Sequence, residues 1–249
     1  MIIFQACIVM ELGGAIMLKF LGIGSAFNTF LGNTSACFRR SDRLLLIDCG
    51  GTTFDTILKN KILEGVVHVE IVLTHTHSDH VGSLGDLVFY LYYIRKQRLT
   101  IHFPDAERIE RLLSLFGVTR DLYEIQSGQS FEWPDGSRFD FLPSNHGVDM
   151  PSFGIRGETS DGVWWYSGDS REIQESALEE LQAGKLNWMY QDTAGYESPD
   201  ALHLSLRQLE KSIPACFRNH VFCMHLDETF PIEEALRLGF QIVQRDYKS

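Results

Sequence analysis

The segment Thr74-His75-Thr76-His77-Ser78-Asp79-His80 places four potential metal ligands within six residues. It follows a run of β-branched and apolar residues at positions 66–73, a pattern that predicts a strand. Side chains alternate along an extended chain, so His75 and His77 point the same way, while Asp79 and His80 open the next helix. Imidazole nitrogens and a carboxylate oxygen suit Zn²⁺ and similar divalent ions. The segment therefore predicts a metal site at a strand end.

Three later residues also stand where strands are predicted to end: His146, Asp169 and His225. A single histidine at a strand end is more often structural than a ligand. Following the 75–80 segment in order, however, the three complete the motif set by which the chain resembles the metallo-β-lactamase superfamily of dinuclear metallohydrolases. The resemblance implies an αββα sandwich of two sheets with helices outside.

The same resemblance implies two divalent ions, Zn²⁺ or Mn²⁺, bridged by Asp169. The first ion would be held by three histidines: His75, His77 and His146. The second would be held by one carboxylate and two histidines: Asp79, His80 and His225. Asp48 would accept hydrogen bonds that fix the ligand loops. Because one Zn²⁺ lowers the pKa of bound water from about 15.7 to about 7, hydroxide shared by the ions is the expected nucleophile, and Asp79 is also counted as catalytic.

His203 lies just before a predicted helix at 205–213 and 22 residues before His225. In the phosphodiesterase branch of the superfamily, the resemblance implies a histidine here that protonates the leaving alkoxide. Such a general acid contributes about 10²–10⁴-fold to a rate. The alternative is a surface histidine near a helix end.

The composition of the chain and the spacing of its motifs exclude several branches of the superfamily. The net charge of −11 disfavours long nucleic acid, whose binding relies on clustered Lys and Arg. His146 and Asp169 are 23 residues apart, which leaves no room for the long arm of the tRNA 3′-processing endonucleases. The 24 residues after His225 are too few for the helical domain of glyoxalase II.

Two families of small-phosphodiester hydrolases remain, the phosphoribosyl cyclic phosphodiesterases and the anti-Pycsar enzymes of phages and bacteria. The segments at 20–29, 32–35 and 203–205 look closest to the second. The expected reaction converts a small cyclic nucleotide, such as cCMP, cUMP, cAMP or cGMP, to the 5′-monophosphate. Four loop residues are expected in the pocket, with Phe153 stacking on the base: Asn28, Thr29, Asn33 and Phe153. A lactonase-type hydrolase and a non-catalytic metal-binding protein stay open as alternatives.

The chain is expected to form one α/β domain over 17–249, preceded by a segment at 1–16 that chemistry does not require. Predicted strands cover 17–22, 35–40, 43–48, 66–73, 99–103, 122–125, 138–142, 152–155, 163–167, 187–191, 221–224 and 241–244. Predicted helices cover 54–62, 79–96, 106–116, 173–182, 205–213 and 233–238.

The relatives imply a homodimer. The apolar side of the 79–96 helix is the candidate interface, although packing in the core would explain the same residues: Leu87, Phe89, Leu91 and Tyr92. No apolar run reaches the length of a membrane span. Five cysteines without a C-x-x-C pair argue against a disulfide framework and for a reducing compartment. The resemblance implies that this compartment is the cytoplasm of a bacterial cell or of a phage-infected host.

Overall fold

Two β-sheets pack face to face in the computed structural model, which describes residues 18–147, 150–198 and 201–247. The first sheet contains, in spatial order, β1 (Lys19–Gly22), β2 (Ser35–Arg40), β3 (Arg43–Ile47), β4 (His68–Val72), β5 (Leu99–His102) and β6 (Tyr123–Gln126). The second contains, in chain order, β7 (Ser130–Glu132), β8 (Arg138–Pro143), β9 (Phe153–Thr159), β10 (Gly162–Tyr166), β11 (Trp188–Asp192), β12 (Val221–Met224) and β13 (Gln241–Ile242). Its spatial order runs from β13 back to β7.

Helices complete the αββα sandwich that the sequence predicts. They are α1 (Thr53–Lys59), α2 (Ser78–Val81), α3 (Leu84–Phe89), α4 (Ala106–Leu115), α5 (Glu175–Gln182), α6 (Leu206–Ser212) and α7 (Ile232–Arg237). The expectation for 1–16 lies outside the described residues. Within the described ranges, no helix has the length and apolar character needed to cross a membrane.

Aromatic side chains join the two sheets across the core. Phe20 of β1 packs against Tyr190 of β11 with ring centroids 5.4 Å apart, and against Tyr166 of β10 at 6.4 Å. All three rings are almost fully buried. Fully burying a large apolar side chain contributes about 1.5–3 kcal/mol, so such contacts fix the sheets against one another.

Strand direction brings the functional loops together. Strands β3 to β6 are parallel, and so are β10 to β12. Strand β8 is antiparallel to β9, which is antiparallel to β10, so β8 runs in the same direction as β10. The carboxyl ends of parallel strands meet at one edge of a sheet. Side chains that follow β4 in the first sheet and β8, β10 and β12 in the second lie close together, so these two edges are on the same side of the sandwich.

The prediction of one long helix over 79–96 is wrong. The chain leaves α2 at Gly82, and the Ser83 hydroxyl donates to the Gly50 carbonyl at 2.5 Å and accepts from the Phe54 amide at 3.2 Å. After α3 the chain continues as a π-helix, Tyr90–Ile94. The short edge strand β7 was also missed, because three residues carry too little alternation to be read as a strand.

The proposed dimer face is corrected in part. Leu87 and Leu91 are fully buried in the core, which leaves neither available to a partner, while Phe89 and Tyr92 are half-buried. The homodimer itself stays a prediction.

The cysteines differ in state. Cys37, Cys49 and Cys223 are buried free thiols, and burial raises the pKa of Cys37 to about 11. Cys216 is disulfide-bonded, and one such residue beside three free thiols is not the disulfide framework that the sequence argues against.

Candidate metal centre

The predicted ligands from both sheets converge at the shared edge. The first sheet supplies those that follow β4 or lie on α2: His75, His77, Asp79 and His80. The second sheet supplies those that follow β8, β10 and β12: His146, Asp169 and His225. Their potential ligand atoms form two groups, each with all atoms within 4.8 Å of one another, and Asp169 belongs to both.

Three histidines and one oxygen of Asp169 form the first group. His77 Nδ1 lies 3.0 Å from His75 Nε2 and 3.2 Å from His146 Nε2. Both Nε2 atoms lie 3.7 Å from Asp169 Oδ2. Nitrogens about 2.0–2.1 Å from a tetrahedral Zn²⁺ are separated by about 3.4 Å, so this spacing fits ligands of one ion.

The other oxygen of Asp169 belongs to the second group. Asp169 Oδ1 lies 3.2 Å from His80 Nε2 and 3.4 Å from His225 Nε2. Asp79 Oδ2 lies 3.4 Å from His80 Nε2 and 3.3 Å from His225 Nε2. His80 Nε2 is buried without a hydrogen-bond partner, an arrangement that is costly unless a cation uses its lone pair. The residues present therefore fit divalent metal binding, with Asp169 between the two groups.

Hydrogen bonds on the far side of two rings set the orientation of the lone pairs. His80 Nδ1 lies 2.8 Å from Asp48 Oδ2, and His146 Nδ1 lies 3.1 Å from the Leu202 carbonyl oxygen. A carboxylate and a carbonyl only accept, so both Nδ1 atoms donate. In the neutral imidazole this leaves the lone pair on Nε2, directed at the ligand cluster.

Asp48 holds the loop that begins the cluster. Its Oδ1 accepts from the Thr74 amide at 2.8 Å, and its Oδ2 accepts from the Thr74 hydroxyl at 2.8 Å as well as from His80. Asp48 is fully buried and has a φ of 62°, a left-handed conformation that a non-glycine residue adopts only when its surroundings hold it there. Burial raises the pKa of Asp48, and its hydrogen bonds oppose that shift. These contacts support the expected role in fixing the ligand loops.

Asp192 at the end of β11 was missed by the sequence analysis. It is fully buried, and its Oδ2 accepts from His203 Nδ1 at 2.7 Å and from the Ser170 amide at 2.9 Å. Its Oδ1 lies 3.4 Å from His225 Nδ1. The signal was available, because Asp192 directly follows the predicted strand 187–191 and so is a carboxylate at a predicted strand end.

His203 sits beside the ligand cluster and is bound to Asp192. Its ring stacks on His225 with centroids 5.0 Å apart. The 2.7 Å separation from Asp192 is that of a hydrogen bond and is shorter than the spacing of two ligands on one ion, so His203 fits a metal ligand poorly. Burial acts to lower the pKa of His203, but the Asp192 carboxylate outweighs it and raises the pKa above its ordinary value. The raised pKa favours the protonated ring, which is the form that a proton donor requires.

A cavity of about 560 Å³ opens over this cluster. Its polar wall includes His77, Asp79, His146, Asp169, His203 and His225. Its apolar wall includes Ala26, Phe27, Ala194, Tyr196 and Leu202. None of the described residues that line it is Lys or Arg. A phosphate bound here would therefore depend on metal ions and histidines for its countercharge.

Of the four predicted pocket residues, the structure places only Asn28 on the wall of this cavity. Thr29 is exposed outside it, and Asn33 is held to Thr52 by two hydrogen bonds of 2.8 and 3.1 Å. The prediction for Phe153 is wrong. Only 8% of Phe153 is exposed, and its ring packs edge-on against Phe103 at 5.5 Å and Phe141 at 5.8 Å.

Two packed sheets with a buried His–Asp cluster at one edge define a metallohydrolase of the metallo-β-lactamase fold. The solved structure of the metallo-β-lactamase fold protein YhfI from Bacillus subtilis has a similar fold, with a TM-score of 0.70 at 20% identity, covering 88% of this chain and 89% of that one.

Within that class, the chain belongs to the anti-Pycsar protein Apyc1 family, whose model matches residues 16–246. The anti-Pycsar protein Apyc1 of Paenibacillus harenae is 28% identical over 227 residues, covering 85% of this chain and 90% of the relative. That of Bacillus phage BSP38 is 25% identical over 259 residues, covering 92% and 97%. The expected superfamily and the expected resemblance to the anti-Pycsar family are thereby confirmed.

Proposed function

We propose that this protein is a phosphodiesterase that hydrolyses 3′,5′-cyclic nucleotides, such as cCMP, cUMP, cAMP and cGMP, to 5′-monophosphates. The observation that carries the proposal is the His203–Asp192 pair: a histidine bonded to a buried carboxylate lines the same cavity as the ligand cluster, and we assign it the role of proton donor. Relatives named anti-Pycsar proteins in bacteria and a phage support removal of a cyclic-nucleotide signal of antiphage defence as the biological role.

In this proposal two divalent ions, Zn²⁺ or Mn²⁺, are held by the two ligand groups and share Asp169. Bound there, they would neutralise phosphate charge and lower the pKa of water in the site. The protein's own residues orient the diester. The P–O3′ bond breaks as an oxygen from water bonds to phosphorus. The proton on His203 passes to the leaving O3′, and the attacking water releases one proton to the solvent as it becomes hydroxide.

The charge of the cavity favours a small diester. A cyclic nucleotide carries one negative charge on its phosphate, which metal ions alone can balance. A polynucleotide needs a basic track along its backbone, and this cavity has no Lys or Arg among its described lining residues. The net charge of −11 also disfavours a polynucleotide as substrate.

The test is an assay of metal-loaded protein with cAMP, cGMP, cCMP and cUMP, next to a ribosyl 1,2-cyclic phosphate and an acyl-homoserine lactone. We expect 5′-monophosphates from the first four. His203→Ala should lower their turnover by about 10²–10⁴-fold, the usual contribution of a general acid. Bis(p-nitrophenyl) phosphate should be hydrolysed by the variant almost as fast as by the wild type, because nitrophenolate leaves without a proton.

The matched control is His68→Ala, since His68 is exposed at the start of β4, on the strand whose far end leads to the cluster. It should leave every rate unchanged. Turnover of the lactone alone, or of the sugar cyclic phosphate alone, would contradict the proposal and assign the chain to the corresponding alternative.

A further inference from the structure

Phe27 is a large aromatic side chain left 89% exposed beside the ligand cluster. It lines the same cavity as Asp169 and His203. A phenylalanine gains about 1.5–3 kcal/mol from full burial, so a ring held in the open at a cavity mouth is available to pack against a ligand.

The loop that carries Phe27 is fixed relative to the metal ligands. The Ser25 amide and the Asn28 side-chain amide both donate to the Leu226 carbonyl at 3.1 Å, and Leu226 directly follows His225. The Asn28 backbone amide donates to the Ser25 carbonyl at 3.1 Å, which closes the turn around Phe27. The ring is therefore carried by a tight turn bonded to the residue next to a predicted ligand.

A second aromatic residue, Tyr196, lines the same cavity from another loop and is 43% exposed. The preceding residue, Gly195, donates its amide to Asp227 Oδ2 at 2.6 Å. A Cβ on Gly195 would lie 2.7 Å from Phe230 Cα, so the loop approaches the 227–230 segment as closely as its backbone allows. Both aromatic residues thus stand on loops anchored near His225.

We propose that Phe27 stacks on the nucleobase of the substrate, with Tyr196 as the second aromatic wall. This inference rests on the proposed function. The ligand cluster and His203 take the phosphate in this proposal, which leaves the base to the rest of the cavity lining, where Phe27 and Tyr196 stand. A cavity of about 560 Å³ lies within the range of about 300–1,000 Å³ typical of small-molecule sites.

Stacking also predicts which nucleobases the site accepts. Every base has a flat π-face, so stacking on an aromatic ring tolerates both purines and pyrimidines. Purine and pyrimidine cyclic nucleotides should therefore have KM values within about tenfold of one another, and their affinity should depend on the aromatic ring at position 27.

The test measures kcat and KM for Phe27→Ala and Phe27→Tyr with cUMP and cAMP, and with methyl ribofuranoside 3′,5′-cyclic phosphate, which has no base. Stacking on a base contributes a factor of about 5 to 150. We expect Phe27→Ala to raise KM for both nucleotides by at least about fivefold with little change in kcat. Phe27→Tyr should keep the wild-type KM, and the base-free diester should be hydrolysed equally by all three proteins.

Phe30→Ala is the matched control, because Phe30 lies on the same loop with the same 89% exposure but does not line the cavity. It should behave as the wild type. The inference is overturned if Phe27→Ala keeps the wild-type KM, or if it weakens the base-free diester as much as the nucleotides. It is also overturned if both alanine variants lose activity alike with a change in oligomer size, which would make the loop a protein contact.

Failure of the proposed function can be distinguished from failure of the stacking role alone. If the wild-type protein turns over no cyclic nucleotide, the proposed function fails and the stacking role fails with it. If the wild type is active and Phe27→Ala is unchanged, only the stacking role fails.

Discussion

Asp192 connects two histidines with different expected tasks. One of its oxygens binds His203, the proposed proton donor, and the other lies near Nδ1 of His225, a predicted metal ligand. The carboxylate holds the imidazole of His203 in one orientation and keeps its pKa raised against the effect of burial. At the scale of single residues, the site thus depends on a residue that we do not expect to touch metal or substrate.

The first prediction concerns Asp192→Asn. The amide fills the same space but removes the negative charge that raises the pKa of His203. We expect kcat for cyclic nucleotides to fall by about 10²-fold, near the lower end of a general acid's contribution, with KM and metal content unchanged. Activity towards bis(p-nitrophenyl) phosphate should be retained, which a merely structural defect would not allow.

Asp161→Asn is the control, because Asp161 is exposed and forms an ion pair with Arg40 away from the cavity. Its activity in both assays should equal that of the wild type. An equal loss on both substrates, or a loss of bound metal, would show that Asp192 maintains the ligand cluster rather than the proton donor.

The ligand set was predicted from the order of the family motifs, and strand direction gives the convergence of these residues a physical reason. A His or Asp directly after a parallel strand must lie at the carboxyl edge, and such residues from several strands meet there. The prediction that Phe153 lines the pocket is wrong because its position soon after His146 in the sequence does not determine the direction of its ring. As the first residue of β9 it turns between the sheets instead. Phe27, which does line the cavity, precedes the first ligand by about fifty residues, so only the fold brings the two together.

At the scale of elements, the turn after β10 determines where Asp169 stands. Gly168 has a φ of 58°, a conformation that favours glycine. A Cβ on Gly168 would lie 2.7 Å from the Phe153 carbonyl oxygen and 2.9 Å from Thr74 Cβ. The turn therefore passes between the start of β9 and the residue before His75, and it has no space for a side chain.

The second prediction concerns Gly168→Ala, compared with Gly184→Ala. Gly184 has a similar φ of 68°, but a Cβ there meets nothing within 4 Å. Gly184→Ala should cost about 1–2 kcal/mol of unfolding free energy from the left-handed backbone alone. Gly168→Ala should cost more and should also lower metal content, because the added methyl group must displace Asp169 or Thr74.

Urea unfolding with unchanged m-values and metal analysis of the purified proteins measure both effects. Equal destabilisation with full metal content in both variants would mean that the turn at Gly168 can relax without moving Asp169.

The predicted helix over 79–96 shows that apolar periodicity does not determine where a helix ends. The apolar pattern over 79–96 is real, since Val81, Leu84 and Leu87 are all buried. The break at Gly82 and Ser83 comes from a contact with the loop after β3, which no local pattern contains. A hydrogen bond between segments distant in sequence thus ends the helix at a point where the local pattern predicts that it continues.

At the scale of the whole molecule, the ligand cluster joins the two sheets. His75, His77, Asp79 and His80 come from the first sheet, and His146, Asp169 and His225 from the second. Each of the two ligand groups contains residues from both sheets. An ion bound in either group therefore bonds across the sandwich, and its binding free energy adds to the stability of the packed sheets rather than to one of them.

The third prediction follows from that linkage. A ligand that binds only the folded state at a hundred times its Kd stabilises it by about 2.7 kcal/mol, and in a chain of this size about 1 kcal/mol shifts Tm by about 2–4 °C. Zn²⁺ or Mn²⁺ should therefore raise the Tm of chelator-treated protein by about 5–10 °C. Asp169→Asn should lose most of that shift because it weakens both ligand groups, whereas Asp161→Asn should keep it. A Tm that does not respond to either ion, or that responds equally in Asp169→Asn, would show that metal does not bind across the two sheets through Asp169.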